Sequence, residues 1–413
     1  MISETLLAIS MLLPSSVTVC ATGCTYATLR DALRHVTDGA VVTLRGGEYR
    51  EELPLVIDRP LTLRGENWPK IIGDGAHDLL FVSSRGVTIE NLVLQDGGAS
   101  YIHEIAAIRV EGVPDCAIRN NRLVNNAYGI YLANSQNCTI SRNSVRGGAE
   151  TESEFGNGIH SWSGSHHTIE NNDISNHRDG IYIEFTNDSL IRGNWADGNI
   201  RYGLHFMSSH RNEYRGNRFE KNGAGVAVMY SRDIQMVGNS FSKNTGAAAY
   251  GLLLKDISAG VIQRNEFRGN TVGIYMEGTN RSKFLGNNFQ DNGYGLRVFA
   301  DCDDNQFREN NFLGNTFDVV TNSDRNPNLF ETNYWSNYSG YDLNQDGIGD
   351  IPYRPVSLSS VLVEKFDSTY FLIKSPLFSI LDYIEQAIPI LIPESLKDVK
   401  PLMAPLPIHR VSE

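Results

Sequence analysis

The sequence predicts an all-β fold, a right-handed parallel β-helix of about 22 residues per coil, with a short N-terminal capping helix and an apolar helical C-terminal tail. Three observations carry this. A string Gly-apolar-x-apolar-x recurs at Gly129, Gly158, Gly180, Gly203, Gly225, Gly251, Gly273 and Gly295, in steps of 29, 22, 23, 22, 26, 22 and 22 residues. A second landmark, an asparagine leading a short strand, runs in phase with it. It falls at Asn121, Asn143, Asn172, Asn194, Asn217, Asn239, Asn265, Asn287 and Asn310, and its long steps of 29 and 26 lie in the same coils. Finally, each period holds strand, turn, strand, bend and strand, which leaves no room for a helix of useful length. Winding alone must then return the chain to the same place.

Each element follows from this period. Alternation sends Ile181 and Ile183, Leu204 and Phe206, Val226 and Val228, and Leu252 and Leu254 inward to fill the tube. The second and fourth residues after each glycine then face outward. Asparagine tolerates left-handed backbone angles, and its amide can bond the next coil's asparagine, so it suits a bend repeated through a stack. The two long steps predict extra loops over residues 147–157 and 245–250.

At the N-terminus, MISETLLAISMLLPSSVTVCATG has the apolar run and small residues of an export signal but no basic start. The alternative is a buried N-terminal segment; the run is too short to span a membrane. Residues 26–35 (YATLRDALRH) read as an amphipathic helix covering the open first coil. The domain division is therefore 1–24 for the N-terminal segment, 25–355 for the β-helix and 356–413 for the tail. In the tail Ser375 caps a helix begun by Pro376 and ended by Pro389.

The net charge of -12 argues against a general nucleic-acid binder. Five cysteines include no CxxC pair, which leaves a zinc ribbon unsupported. Cys20 and Cys24 are either bonded or free. Cys116 and Cys138, one period apart, are expected to stack as packing residues rather than to bridge.

The outward columns carry the candidate chemistry. The second position reads Tyr131, His160, Tyr182, His205, Ala227, Leu253, Tyr275 and Arg297. The fourth reads Ala133, Trp162, Glu184, Met207, Met229, Lys255, Glu277 and Phe299. Neighbouring coils lie about 4.8 Å apart, so Met207 and Met229 stack, with His205 on the Met207 face and His210 in the next turn. Two thioethers with imidazole are a soft donor set that suits Cu(I) better than zinc, calcium or magnesium. The plainer alternative is that these side chains pack under a loop or partner. A second candidate is Asp342, Asn344, Asp346 and Asp350, which match the first half of a calcium loop with Gly347 at its sixth position. Tyr353 stands where the bidentate carboxylate belongs, so the loop is either a structural Ca2+ site completed from elsewhere or an acidic turn. The rival function is a polysaccharide-binding or polysaccharide-modifying protein of lyase or epimerase type, with Trp162, Tyr182 and Tyr275 as sugar platforms. Glu184 and Glu277, however, are four coils or roughly 19 Å apart, too far for a carboxylate pair.

The strings RYGLHFMSSH (201–210), GAGVAVMYSR (223–232), AAYGLLLKD (248–256) and NYWSNYSGYDLNQDGIGDIPYRP (333–355), with the tail SPLFSILDYIEQAIPILIPESLKDVKPLMAP, resemble the NosD family. The resemblance implies a periplasmic, non-catalytic β-helix in nitrous oxide reductase maturation. It would sit on an ABC-type complex of the membrane subunit NosY and the ATPase NosF. It would take part in supplying copper, received through the chaperone NosL, to nitrous oxide reductase, NosZ. On this reading Leu377, Phe378, Leu381, Ile384 and Ile388 dock to the membrane subunit; their plainer role is a cap over the last coil. Without residues 375–413 the solenoid is expected to stay folded.

Overall fold

The computed structural model describes residues 15–100, 102–148, 151, 156–323, 326–365, 375–376, 380–381, 383–384 and 396–407. The chain winds as a right-handed parallel β-helix whose strands stack into three parallel sheets of 14, 12 and 13 strands. The Gly-apolar strands form the 12-stranded sheet, and the two shorter strands of each coil form the others. Ile181, Ile183, Leu204, Phe206, Val226, Val228, Leu252 and Leu254 all lie in the continuous core, fully buried. Aromatic stacks run along the tube axis. One links Phe219, Phe241, Phe267, Phe289, Phe312 and Trp335, with centroid separations of 4.2–5.5 Å.

The glycine column has a steric cause. A Cβ on Gly225 would lie 2.4 Å from the carbonyl oxygen of Gly251, and one on Gly273 would lie 2.5 Å from that of Gly295. The backbones approach so closely there that no side chain fits. The column stops at Asp318, one coil beyond Gly295.

The asparagines are a ladder rather than the bend itself. Each one's backbone N–H and amide N–H donate to the side-chain oxygen of the next, as when Asn194 donates to Asn217 at 3.0 Å from both groups. Asn217 donates onward to Asn239. The left-handed angle belongs to the residue just before, such as Arg142, Asn171, Gly193, Gly216 and Arg264. A second ladder, not read from the sequence, links Asn199, Asn222, Asn244, Asn270, Asn292 and Asn315.

Both described ends are sealed. The N-terminal helix Leu29–His35 is capped by Thr28 and buries Leu29, Ala32 and Leu33. Both carboxylate oxygens of Glu51 accept from its first amides, at 2.7 Å each. The solenoid already begins at Ser16–Val19, paired with Ala40–Arg45, inside the stretch set apart as 1–24. At the far end the Asn ladder terminates on Asp398, whose Oδ2 accepts from the Asn333 backbone and amide at 2.9 Å and from Trp335 Nε1 at 3.1 Å. Residues 396–407 thus cap the last coil, the alternative role weighed for the tail, and they do so through Asp398. A helix over Leu358–Lys365 lies against Phe317–Thr321, with Val363 packed on Phe317 and Val320. Arg297 donates to Glu364 at 2.7 Å.

The cysteine expectation is also corrected. Cys116 and Cys138 are joined by a disulfide across adjacent coils, Cys20 and Cys24 form a second, local one, and Cys302 is free and buried. Parallel in-register stacking brings the Cys116 and Cys138 Cα atoms to 4.5 Å, a separation at which a bridge closes.

Candidate metal-binding face

The two outward columns are realised in register. Tyr131, His160, Tyr182 and His205 align in sequence, followed by Ala227. Beside them Trp162, Glu184, Met207, Met229, Lys255 and Glu277 align. Met207 and Met229 are direct neighbours on adjacent strands and are both half-buried. This places two thioethers side by side without any backbone rearrangement. Phe185 and Tyr230 each hold a left-handed backbone, at φ 49° and 52°, in a turn column that otherwise uses Asn134, Ser163, Ser208, Asp256 and Gly278. Bulky residues are rare in that conformation. The result is a half-exposed ring in the coil before Met207 and another beside Met229.

His205 is held more tightly than an outward residue needs to be. It is 7% exposed, between the rings of Tyr182 at 4.7 Å and Tyr202 at 5.0 Å. Its Nδ1 lies 3.1 Å from Arg201 Nη2 and 3.4 Å from Asp179 Oδ2. Arg201 forks onto the same carboxylate, Nε to Oδ1 at 3.0 Å and Nη2 to Oδ2 at 2.7 Å. Asp179 is fully buried. Burial pushes its carboxyl up, but the hydrogen bonds and charges of His205 and Arg201 outweigh this and hold it below the usual range. The other ring nitrogen, Nε2, is buried with no hydrogen-bond partner among the described residues. A carboxylate behind a histidine is a feature of metal-binding sites, but here Nδ1 lies nearer the Arg201 guanidinium than the Asp179 carboxylate.

His160, two coils away, repeats part of this. Its Nε2 is likewise buried without a partner, and burial pushes its pKa down to about 3, so the ring stays neutral. Asp179, Arg201 and His160 were not among the residues singled out as ligands. The available signal was the column order Tyr-His-Tyr-His, with an acid at the head of the DGIYIE strand.

His210 does not join this group. It stands in the turn column with Asn187 and Arg232, where its Nδ1 accepts the Arg232 backbone N–H at 3.3 Å. Burial and then the charges of Arg232 and Arg211 lower its pKa. Among the described residues no three His, Cys, Asp or Glu side chains come together as a metal-binding group.

The acidic loop closes on its own backbone. Asp342 accepts from Asp346 and Gly347, Asp346 accepts from Ile348, and Asp350 accepts from Leu343. Tyr353 bridges to Asp398 and brings no carboxylate to the loop. Gly349 and Met403 amides tie the loop to the terminal cap. Of the apolar tail residues, Leu381 and Ile384 are half-buried and helical, whereas Leu377, Phe378 and Ile388 lie outside the described residues. Glu277 is paired with Lys255 at 3.0 Å, four coils from Glu184, so these carboxylates stay apart.

Comparison with known proteins agrees with this picture. Two curated relatives, each described as "Probable ABC transporter binding protein NosD", come from Pseudomonas aeruginosa and Stutzerimonas stutzeri. Both are 29% identical over 87% of this chain, and the match covers 87% and 86% of their own lengths. Among solved structures, the catalytic unit of a GH87 α-1,3-glucanase from Streptomyces thermodiastaticus is similar with a TM-score of 0.58. The match has 14% identity and covers 70% of this chain and 61% of that one, a likeness of fold alone. The profile described as "Periplasmic copper-binding protein (NosD)" matches residues 69–154 and 142–344. Together these ranges take in the glycine column and the paired methionines and reach the start of the acidic loop, and the chain belongs to the NosD family.

Proposed function

We propose that this protein is a non-catalytic, periplasmic Cu(I)-binding accessory of an ABC-type complex, and that it passes copper toward nitrous oxide reductase. The observation that carries the reading is the in-register pair Met207 and Met229, with His205 two residues along the same outward face. Thioethers favour Cu(I), require no deprotonation and persist in an oxidising compartment, in keeping with two disulfides in the same chain. His210 is a further candidate ligand only if its turn rearranges. The partners on this reading are the membrane subunit NosY, the ATPase NosF, the chaperone NosL and the acceptor NosZ. Calcium at Asp342, Asn344, Asp346 and Asp350 would be structural, bracing the terminal cap. Anaerobic titration with Cu(I) against a competing chelator tests the site. The wild-type chain is expected to take up copper, and Met207→Leu with Met229→Leu to lose that uptake while keeping its unfolding midpoint. Equal copper uptake by the double variant refutes the assignment. A parallel screen for polysaccharide binding or cleavage tests the rival reading.

A further inference from the structure

The string NNF occurs twice at ladder positions, over residues 287–289 and 310–312. In each the first asparagine belongs to the ladder, and alternation turns the second outward from the 13-stranded sheet. The outward Asn311 clasps a piece of backbone from outside the coils. Its amide donates to the Leu406 carbonyl at 3.0 Å, and its Oδ1 accepts the Leu406 N–H at 2.9 Å. One side chain thus satisfies both polar groups of one residue, as a neighbouring strand would. Asn288 is the register partner of Asn311, one coil back. It is just as buried, at 4% exposed, yet among the described residues neither its Oδ1 nor its Nδ2 has a hydrogen-bond partner. An amide withdrawn from water in this way is costly unless something pairs with it. Both asparagines line a cavity of about 180 Å³, together with Leu406, Pro407, Glu266 and Glu309.

We propose that residues 408–413 continue past Leu406 as a strap along this face, with Ile408 held by Asn288 as Leu406 is held by Asn311. The inference is independent of the copper-binding reading. Its direction and pitch come from the cap. Leu402 is paired beyond Tyr334, which is paired beyond Asn311. The four residues from Leu402 to Leu406 therefore carry the chain back over two rungs, two residues to each. Two extended residues span about 6.6 Å and rungs lie about 4.8 Å apart, so the strap crosses the strands obliquely. The same step brings Ile408 to Asn288, and Arg410 to Glu266 on the rung after it. Pro405 and Pro407 favour an extended chain and have no N–H, which leaves Leu406 and then Ile408 as the residues able to fill such a clasp. Glu266 and Glu309 make no ion pair among the described residues, so the Arg410 guanidinium meets carboxylates free to receive it. The strap fastens the terminal cap at a second point. It also covers amides that would otherwise be open to an extended segment of another chain.

Hydrogen exchange of the full chain, read by mass spectrometry on C-terminal fragments, tests the strap. A synthetic peptide of residues 405–413 gives the unprotected rate. Residues 408–413 of the wild-type chain are expected to exchange about tenfold more slowly than that peptide, the worth of one retained hydrogen bond. Asn288→Ala is expected to bring them to the peptide rate, while Leu406 stays protected by Asn311. Ile408→Pro removes the donated N–H without touching any coil, and is expected to free residues 409–413 in the same way. If Asn288→Ala does not fold, Ile408→Pro gives the answer. Exchange at the peptide rate in the wild-type chain overturns the strap, and leaves water or another chain's backbone as the partner of Asn288. Protection that survives either substitution overturns the clasp, because the segment is then held elsewhere.

Discussion

Asp318 sits where the glycine column ends, and it is a carboxyl with little to support a charge. It is 5% exposed, and its Oδ1 accepts one hydrogen bond, from the Asn315 amide at 3.1 Å. Burial therefore pushes its pKa up from an ordinary value near 3.8 to about 6. A raised pKa in the folded state means a contribution fully present below pH 3.8 and lost as pH rises through 6. Above that the folded chain must hold a buried carboxylate, at a cost of up to about 3 kcal/mol. Asp318→Asn is expected to stabilise the protein by that order at pH 8 and to change nothing at pH 4, read as denaturant midpoints at the two values. The buried histidines act in the opposite sense. Burial pushes His167 and His177 down to about 4, so their contribution is present above pH 6.5 and fades as pH falls toward 4. At this scale the sequence was informative about address and silent about company. Periodicity alone put His205, Met207 and Met229 in their columns. That Asp179 and Arg201 converge on His205 depends on side-chain rotamers across a coil boundary, which no period encodes.

The elements that give this solenoid its cooperativity are ladders, because each coil satisfies its buried polar groups only through its neighbours. Asn217 shows the stakes. Its side-chain oxygen accepts two N–H groups from Asn194, and its amide donates to the Ile191 carbonyl and to Asn239. Asn217→Ala leaves those groups buried without partners, and about 2–4 kcal/mol should be lost. Asp197→Ala, on a half-buried outward residue of the neighbouring coil, should cost far less. Urea unfolding of both variants checks the difference, and equal midpoints would show that the ladder is decorative. The nine ladder positions were legible from spacing. Their conformation was not, because the residue that takes the left-handed turn is the one before, and it is Asn, Arg, Gly or Glu with no common letter. The second ladder escaped notice because His177 stands in for asparagine beside Asn199, its backbone N–H donating to Asn199 Oδ1. The disulfide between Cys116 and Cys138 followed from the same stacking that had been read as plain packing.

For the whole molecule, the consequential arrangement is at the C-terminal end. The apolar stretch proposed to meet a membrane partner is not a free tail. It lies between two anchored pieces, the helix Leu358–Lys365 held by Val363 and Glu364, and the cap 396–407 held by Asp398. The cap covers Trp335, which is 1% exposed at the end of the aromatic stack, and receives the last three donors of the ladder. The stretch proposed for docking and the cap are therefore different segments, and mutation can address them separately. Ending the chain before residue 396 should cost about 2–4 kcal/mol, by uncovering Trp335 and removing the Asp398 acceptor. Replacing residues 366–395 with a Gly/Ser linker of equal length should leave the unfolding midpoint unchanged, because the contacts of Asp398 and of residues 396–407 are kept. If that stretch is the docking element, the linker variant should lose co-purification with the ABC-type membrane subunit, whereas a chain ending at Pro407 keeps it. Linker variants that still co-purify would move the docking surface onto the solenoid, and a linker variant that unfolds early would return the apolar stretch to a capping role.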